Sequence, residues 1–323
     1  MPGAPALPDP ASGSTTPTEG VFPYEVEPDW PMLEPGLTLG QVSGLAIEPA
    51  GTLLVFCRAD RPWFGGQMSA PIERPTLLRL DRATGAVRER FGDGRFVIPH
   101  GLSIDPAGNV WVTDVGTHRV YKLAPNGTPI LVLGTGLPGN DVQSFNQPTD
   151  VYVAANGTVF VADGYGNSRI VKLSPEGQYL GQWGQPGSEP GALSTPHSIS
   201  GDAQGRIYVA DRGNARVQRF DSDGRFLDEW KGPELGRPWA VTVATDGRVY
   251  VVDGGDQKTE PPDRSGIIEF DAAGNVLQRW STYGSALGQL VWGHDLAVDD
   301  AHDVYVGEVF TGMRVQKFRR SPP

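Results

Sequence analysis

Cysteine is almost absent from this sequence. The 323 residues include one cysteine, Cys57, so a disulfide within the chain is excluded and cysteine usage does not indicate an oxidising compartment. No apolar run comes close to the roughly 18–20 residues of a membrane span, and the N-terminus lacks the basic and apolar regions of a secretory signal. We therefore expect a cytoplasmic protein without a membrane partner, or a secreted or periplasmic one if a leader has been removed.

Positive charge is also scarce. The chain has 27 Lys and Arg against 38 Asp and Glu, a formal net charge of −11, and no basic cluster. A nucleic acid or an anionic membrane surface would require such a cluster, so we expect neither as a partner. Only 38% of the residues are hydrophobic, whereas 43 are Gly and 29 are Pro. This composition is typical of many short strands joined by tight turns.

The first 20 residues differ in composition from the rest of the chain. Residues 1–20 are rich in Pro, Ser, Thr and Gly and have too few large apolar side chains to form a core. We predict that this segment is disordered and that residues 21–320 form a single domain.

Six internal repeats organise that domain. Each repeat has an apolar run, a tight turn, a second apolar run ending in an acid, a third strand and often a fourth. The residue just before the first run, which we call the mouth position, is Ser43, His100, Thr149, His197, Trp239 or His294. Successive mouth positions are between 42 (His197 to Trp239) and 57 (Ser43 to His100) residues apart, a spacing typical of propeller blades.

The turns and the acids recur at fixed distances from the mouth position. Five turns carry a glycine, as expected where a hairpin needs positive φ, and we assign Asp303 to that place in the sixth. The position 14 residues after the mouth position holds Cys57, Asp114, Asp163, Asp211, Asp253 and Glu308. Arginines follow several of these residues, namely Arg119, Arg169, Arg216 and Arg314. We expect acid–arginine pairs that lock neighbouring blades together.

The sixth repeat ends one strand short, at Phe318. Residues 24–30 have the composition of the missing strand, and pairing the first strand with the last would leave no open sheet edge. The sequence therefore predicts an all-β fold, a six-bladed β-propeller closed by its N-terminal strand. A closed propeller buries its own core, so we expect a monomer.

Three of the five histidines occupy mouth positions, in every second repeat: His100, His197 and His294. Alternate blades are about 120° apart around a six-bladed ring, so the three imidazoles should converge on its axis. Three neutral imidazoles with an open fourth position are the ligand set of catalytic zinc. Iron and copper accept the same ligands and remain alternatives.

Two charged residues add to this site. Asp295 directly follows His294, and a carboxylate beside channel carbonyls suits a hard cation such as calcium. Asp150 occupies the same place in the third repeat, so a purely structural carboxylate is equally possible. Arg58 stands beside Cys57, where the other repeats have their acid, and is available for a substrate carboxylate. We expect a small-molecule or peptide substrate that bears a carboxylate.

Several stretches resemble one enzyme family. They are Gln41-Val-Ser-Gly-Leu-Ala46, Pro99-His-Gly-Leu-Ser-Ile-Asp105, Trp111-Val-Thr-Asp-Val115, Gln147-Pro-Thr-Asp-Val151, Asp163-Gly-Tyr-Gly-Asn-Ser-Arg-Ile170, Pro196-His-Ser198, Ala210-Asp-Arg212 and His294-Asp295. In this order they cover residues 22–318. They make the chain similar to NHL-repeat propellers, and within these to the peptidyl-α-hydroxyglycine α-amidating lyases of peptide amidation. Trp292 departs from the pattern, since that family has a methionine two residues before its third zinc histidine.

The resemblance implies a role for each site residue. His100, His197 and His294 would bind a catalytic zinc ion. The Asp295 carboxylate and the backbone carbonyls of Leu45 and Leu102 would bind a structural calcium ion. Tyr165 would be the general base, with Arg58 and Arg212 near it and the substrate. A tyrosine, with an ordinary pKa of about 10, can be a base only if cations such as these stabilise its phenolate.

The implied reaction is the cleavage of the N–C bond of a peptidyl- or acyl-α-hydroxyglycine, a carbinolamide, into an amide and glyoxylate. Two other functions stay open on sequence alone. One is a metal-dependent hydrolase that resembles lactonase propellers and uses metal-bound water. The other is a non-catalytic NHL interaction or sensor module, which would bind no metal and would use one propeller face.

Overall fold

The strands of this protein pair into six antiparallel sheets. The computed structural model describes residues 23–63, 70–255 and 264–321, and within them each sheet has four strands. The inner strands contact one another in chain order around a ring, and the last contacts the first. This arrangement is the predicted six-bladed β-propeller. The predicted disordered segment, residues 1–20, lies outside the described residues.

The blades follow the chain, and each runs from the central channel outwards. Blade 1 contains β2 (Val42–Ile47), β3 (Thr52–Cys57), β4 (Leu77–Asp81) and β5 (Val87–Phe91). Blade 2 contains β6 (Pro99–Ile104), β7 (Val110–Asp114), β8 (Arg119–Leu123) and β9 (Pro129–Leu133). Blade 3 contains β10 (Asp150–Val153), β11 (Val159–Asp163), β12 (Arg169–Leu173) and β13 (Tyr179–Trp183).

The second half of the ring repeats this order. Blade 4 contains β14 (Pro196–Gly201), β15 (Ile207–Asp211), β16 (Arg216–Phe220) and β17 (Phe226–Lys231). Blade 5 contains β18 (Pro238–Val243), β19 (Val249–Asp253), β20 (Gly266–Phe270) and β21 (Val276–Trp280). Blade 6 contains β22 (Gly293–Val298), β23 (Val304–Glu308), β24 (Val315–Arg320) and β1 (Tyr24–Val26). The described part of the chain has no helix long and apolar enough to cross a membrane.

The ring closes as the sequence predicts, because the N-terminal strand completes the last blade, although this strand spans Tyr24–Val26 and not the whole of residues 24–30. Tyr24 pairs with Arg320 and Val26 with Phe318 in antiparallel register. The ring of Tyr24 also stacks on that of Trp280, with centroids 4.0 Å apart. Closure removes the unpaired edge that β24 would otherwise expose.

The second strand of blades 2 to 6 is buried along its length because both of its faces pack against a neighbouring blade. All five residues of β7, β11, β15, β19 and β23 are buried. These strands are therefore rich in apolar residues rather than strictly alternating. The packing between blades fixes the inner strands, whose first residues surround one end of the channel.

A tight turn follows each inner strand, and one residue of this turn has positive φ. Gly51, Gly108 and their counterparts in blades 3 to 5 have positive φ, as expected. In blade 6 the equivalent residue is His302, with φ of +63°, and not Asp303. The alignment of the sixth turn was therefore wrong by one residue.

The acid–arginine pairs form in blades 3, 4 and 6 but not in blade 2. Asp163–Arg169, Asp211–Arg216 and Glu308–Arg314 are ion pairs of 2.9, 2.7 and 2.6 Å, each within one blade. The arginines also donate to backbone carbonyls of the segment that enters the blade, as Arg169 does to Ser144. Arg119 instead donates to the Thr135 carbonyl, because Asp114 accepts backbone amides. The prediction was therefore wrong for Arg119, and it was also wrong in placing the ion pairs between neighbouring blades.

Candidate metal centre and active site

Three histidine side chains meet at the start of the inner strands of blades 2, 4 and 6. His100, His197 and His294 are 1%, 2% and 3% exposed, and their ring centroids are 4.6–4.9 Å apart. Each offers one ring nitrogen, and these atoms all lie within 4.8 Å of one another. The structure thus brings the three predicted ligands together, and they are the one such group of His, Cys, Asp or Glu found among the described residues.

The other ring nitrogen of each histidine is held by the neighbouring blade. Nδ1 of His100 donates to the carbonyl oxygen of Thr149 at 2.6 Å, and Nδ1 of His197 donates to that of Trp239 at 2.6 Å. Nδ1 of His294 donates in the same way to Ser43 at 2.9 Å. A carbonyl oxygen can only accept, so Nδ1 carries the proton and Nε2 is unprotonated, as binding of a cation requires.

Burial keeps the three imidazoles neutral. It is the main reason that the pKa of each ring lies well below its usual range, and the nearby arginine charges lower it further. Neutral imidazoles are the form that metals bind.

The inner strands that carry these histidines are anchored at their far ends by an aspartate five residues later. Asp105, Asp202 and Asp299 each accept two turn amides through Oδ1. Their Oδ2 atoms accept the Trp111 indole N–H and the hydroxyls of Tyr208 and Tyr305. The three ligand-bearing strands are thus fixed at both ends.

The donor set fits a zinc ion. Three neutral imidazoles with fixed tautomers and backbone carbonyls as outer partners are the arrangement of a zinc site. A cavity of about 10 Å³ lies among the histidines, Asp150 and Asp295. This volume is close to that of one water-sized guest.

Tyr165 lies against the histidines from blade 3. Its hydroxyl is 3.0 Å from Nε2 of His100 and 3.0 Å from Nε2 of His197. Its ring packs edge-on against those of His100 and Trp63, with centroids 5.1 and 5.4 Å away. The hydroxyl of Tyr165 can therefore exchange a proton with a group held at the histidines.

Arg58 is buried behind this site and has an unused donor. Its side chain is 1% exposed; Nε donates to the Pro99 carbonyl and Nη1 to Oε1 of Gln41 at 2.5 Å. Nη2 of Arg58 and Nε2 of Gln41 are buried without a hydrogen-bond partner. Burial lowers the pKa of Arg58 to about 10, so the group stays charged at neutral pH. A buried cation with a free N–H is suited to bind a carboxylate.

Arg212 reaches the site from blade 4. Its guanidinium carbon lies 3.8 Å from the centre of the Trp239 ring, a cation–π contact. Arg58 and Arg212 both stand 15 residues after a mouth position, in blades 1 and 4. They therefore face each other across the ring, on either side of the histidines.

Asp295 lines the same small cavity of the channel as the histidines. Its Oδ2 accepts the backbone N–H of Leu45 at 2.7 Å. Leu102 is in the inner strand of blade 2, next to that of blade 1. The two strands approach closely there, since a Cβ built on Gly44 would lie only 2.7 Å from the Cβ of Leu102. Calcium binding by Asp295 and the carbonyls of Leu45 and Leu102 stays a prediction.

Asp150 is the counterpart of Asp295 on the opposite side of the channel. Its Oδ2 accepts the backbone N–H of Ile199 at 2.9 Å, as Asp295 does with Leu45. Burial raises the pKa of Asp150 to about 7. Burial, and next the charge of Asp150, raises the pKa of Asp295 well above its usual range. Two facing carboxylates of this kind would both be stabilised by a cation between them.

Sequence reasoning missed several residues around the site. Gln41 orients Arg58, Trp63 packs on Tyr165, and Phe310 packs on Trp292. Phe310 could have been found, because it stands 16 residues after its mouth position, as Tyr165 does.

The repeats match a known family model. Residues 96–123, 145–173 and 193–220 match the model of the NHL repeat. These segments lie in blades 2, 3 and 4.

Known proteins resemble the chain over most of its length. It is 39% identical to peptidyl-glycine alpha-amidating monooxygenase B of Xenopus laevis over 88% of this chain and 34% of that protein. It is 32% identical to peptidyl-alpha-hydroxyglycine alpha-amidating lyase 1 of Drosophila melanogaster over 91% of this chain and 59% of that one. The chain thus spans about a third of the Xenopus protein. A gluconolactonase structure from Xanthomonas campestris (TM-score 0.62, 16% identity, 88% of this chain and 87% of that one) shares the fold.

Proposed function

Because the chain is an NHL-repeat β-propeller that resembles the peptidyl-α-hydroxyglycine α-amidating lyases, we propose that it is a metal-dependent carbon–nitrogen lyase. Its substrate is a peptidyl- or acyl-α-hydroxyglycine, and its products are an amide and glyoxylate. The convergence of three Nε2 atoms, with the Tyr165 hydroxyl 3.0 Å from two of them, is the observation that carries this proposal.

His100, His197 and His294 hold the catalytic metal, with zinc as the first choice. When bound, zinc acts as a Lewis acid that lowers the pKa of a hydroxyl group. The backbone carbonyls that accept from each Nδ1 keep the three rings in the metal-binding tautomer.

Tyr165 moves the proton. As phenolate it takes the proton of the substrate hydroxyl, the new C=O bond of glyoxylate forms, and the C–N bonding electrons leave on the amide nitrogen. The same hydroxyl returns the proton to that nitrogen, so no external acid or base is consumed. The charges of Arg58 and Arg212 favour the phenolate form.

Arg58 also holds the substrate carboxylate. Arg58 supplies a buried, charged N–H that has no partner within the protein, and Gln41 and the Pro99 carbonyl fix its orientation. Arg212, on the other side of the histidines, is steadied by the Trp239 ring and contributes its charge. A carboxylate bound at Arg58 places the neighbouring carbon beside the histidines.

A structural calcium ion at Asp295 is part of the proposal. Carboxylate oxygens are the ligands that calcium prefers. Asp150 faces the same part of the channel, and we include it as a further source of negative charge for that ion.

Two measurements on the purified protein test the function. We expect about one transition metal ion per chain, and glyoxylate release from α-hydroxyhippurate that stops with a chelator and returns with zinc. Absence of stoichiometric metal would favour a non-catalytic module. Metal without glyoxylate release, combined with hydrolysis of a lactone, would favour a lactonase-like hydrolase. His302→Asn, remote from the site, is the control and should behave as the wild type.

A further inference from the structure

The mouth of the channel has a polar side and an apolar side. Blades 3 and 6 face each other across the ring. Tyr165 of blade 3 and Phe310 of blade 6 stand at equivalent places, each 16 residues after a mouth position. Gln147 and Trp292 are also equivalent, each two residues before a mouth position. A tyrosine and a glutamine thus oppose a phenylalanine and a tryptophan.

The apolar side is one continuous aromatic wall formed by Trp239, Trp292 and Phe310. Ring centroids are 5.2 Å apart for Trp292 and Phe310, and 5.8 Å apart for Trp239 and Trp292. Trp239 is 2% exposed, whereas the other two rings are only half-buried. These separations are typical of aromatic pairs in direct contact.

This wall begins at the candidate metal ligands. The Trp239 ring lies 5.2 Å from that of His197 and 5.5 Å from that of His294. Tyr165 contacts His100 and His197 from the other side. A molecule bound at the histidines is thus between Tyr165 and the aromatic wall.

The backbone of the wall is strained. Trp292 has φ of +58° and Phe310 has φ of +50°. Bulky residues rarely adopt this conformation, which costs on the order of 1–3 kcal/mol each. Gln147 and Thr195 share the positive φ of Trp292, so the blade repeat imposes it. Positions 292 and 310 nevertheless carry a tryptophan and a phenylalanine, although bulky residues are unfavourable in this conformation.

We propose that Trp292 and Phe310 form an apolar subsite that selects substrates with an aromatic or large apolar acyl group next to the cleaved bond. The inference rests on the proposed lyase function and names the substrate class it prefers. With the carboxylate at Arg58 and the hydroxyl at the histidines and Tyr165, the acyl group is the part of the substrate left to contact this wall.

The first test is a ratio of turnover. We expect wild-type kcat/KM to be larger for N-benzoyl- than for N-acetyl-α-hydroxyglycine by about tenfold or more, the usual scale of apolar-pocket discrimination. Phe310→Ala should bring the ratio near one. Leu137→Ala, an exposed apolar residue far from the mouth, should keep the wild-type ratio. An unchanged ratio in Phe310→Ala would overturn the proposal.

The second test measures binding without turnover. Metal-free protein is titrated calorimetrically with N-benzoylglycine and N-acetylglycine, with circular dichroism to confirm folding. We expect tighter binding of the benzoyl compound, retained in Trp292→Phe and lost in Trp292→Ala. If the wild type releases no glyoxylate from either substrate, the lyase proposal fails, and this titration alone decides the subsite. Equal affinities in the wild type would overturn it.

Discussion

Nδ1 of His294 donates a hydrogen bond to the carbonyl oxygen of Ser43, 2.9 Å away and 251 residues earlier in the chain. The bond joins the last blade to the first, so closing the ring and orienting the third histidine are the same event. The other two histidines bond to the next blade in the same way. The candidate metal site is therefore a property of the closed ring rather than of any one blade.

Replacing one histidine should remove the metal. We expect His197→Ala to lose zinc almost completely, because only two of the three imidazoles remain. Even the loss of a group that merely hydrogen-bonds a metal ligand costs roughly 10–100-fold in metal affinity. Metal content of the purified variant, by elemental analysis, is the measurement. His302→Asn keeps a residue that tolerates positive φ and should retain the metal. Full metal occupancy in His197→Ala would show that the metal binds elsewhere.

Replacing Tyr165 should separate catalysis from metal binding. Phenylalanine keeps the ring contacts with His100 and Trp63 but removes the hydroxyl that lies 3.0 Å from two histidines. We expect Tyr165→Phe to keep its metal and to lose about 10²–10⁴ in kcat, the usual contribution of a general base. Tyr179→Phe, at a surface tyrosine, serves as the control. Wild-type turnover in Tyr165→Phe would remove this tyrosine from the mechanism.

Replacing Arg58 should weaken recognition of the substrate carboxylate. Loss of a hydrogen bond to a charged group costs about 1.5–3 kcal/mol, or roughly 10–100-fold, and we expect this loss in kcat/KM of Arg58→Met for α-hydroxyhippurate. The methyl ester of the same substrate lacks the carboxylate and should lose much less. Arg88→Met, at an exposed arginine, is the matched control. Equal losses for the acid and the ester would contradict carboxylate binding by Arg58.

The fold and the convergence of the three histidines were predictable because both follow from repetition. Apolar runs at a regular spacing defined six blades, and the three histidines, which alternate with Ser43, Thr149 and Trp239, were then placed on one axis. The ring closure was predictable because the sixth repeat lacked a strand that the N-terminus could supply. Each inference used only side-chain type and position.

The remaining features depend on the backbone, which the sequence pattern does not show. The acceptors for the histidine Nδ1 atoms are carbonyl groups, which every residue has, so no side chain indicates them. Arg119 has the spacing of its counterparts but not their ion pair, because Asp114 is already bonded to the amides of Val97 and Ile98. The role of Gln41 appears only when β2 and β3 are paired and Arg58 lies beside it.

Trp30 tests the N-terminal closure. It is 7% exposed, packs against Tyr305 and donates its indole N–H to the Arg82 carbonyl. We expect Trp30→Ala to lower the free energy of unfolding by roughly 3–5 kcal/mol, as for other buried aromatic residues. Met32→Ala, at a residue 60% exposed, should change it by less than about 0.5 kcal/mol. Denaturant unfolding curves that coincide for both variants would contradict the packing of this segment.

The facing carboxylates Asp150 and Asp295 predict a pH dependence in the metal-free protein. Burial raises the pKa of Asp150 to about 7, whereas the unfolded chain has the ordinary value near 4. Between these values the folded state binds more protons than the unfolded state, so this group lowers stability as pH rises through that window. Asp150→Asn removes the effect. The free energy of unfolding of Asp150→Asn minus that of the wild type should therefore increase from pH 4 to pH 8.

Calcium should reduce or reverse the stability advantage of Asp150→Asn over the wild type at pH 8. If the ion binds between the carboxylates, it stabilises the wild type more than Asp150→Asn, because the wild type offers it both charges. Thermal unfolding of the two proteins at pH 4 and pH 8, with a chelator or with calcium, measures both effects. Parallel pH profiles with the chelator would mean that Asp150 titrates normally. An equal shift of both proteins by calcium would place the ion away from Asp150.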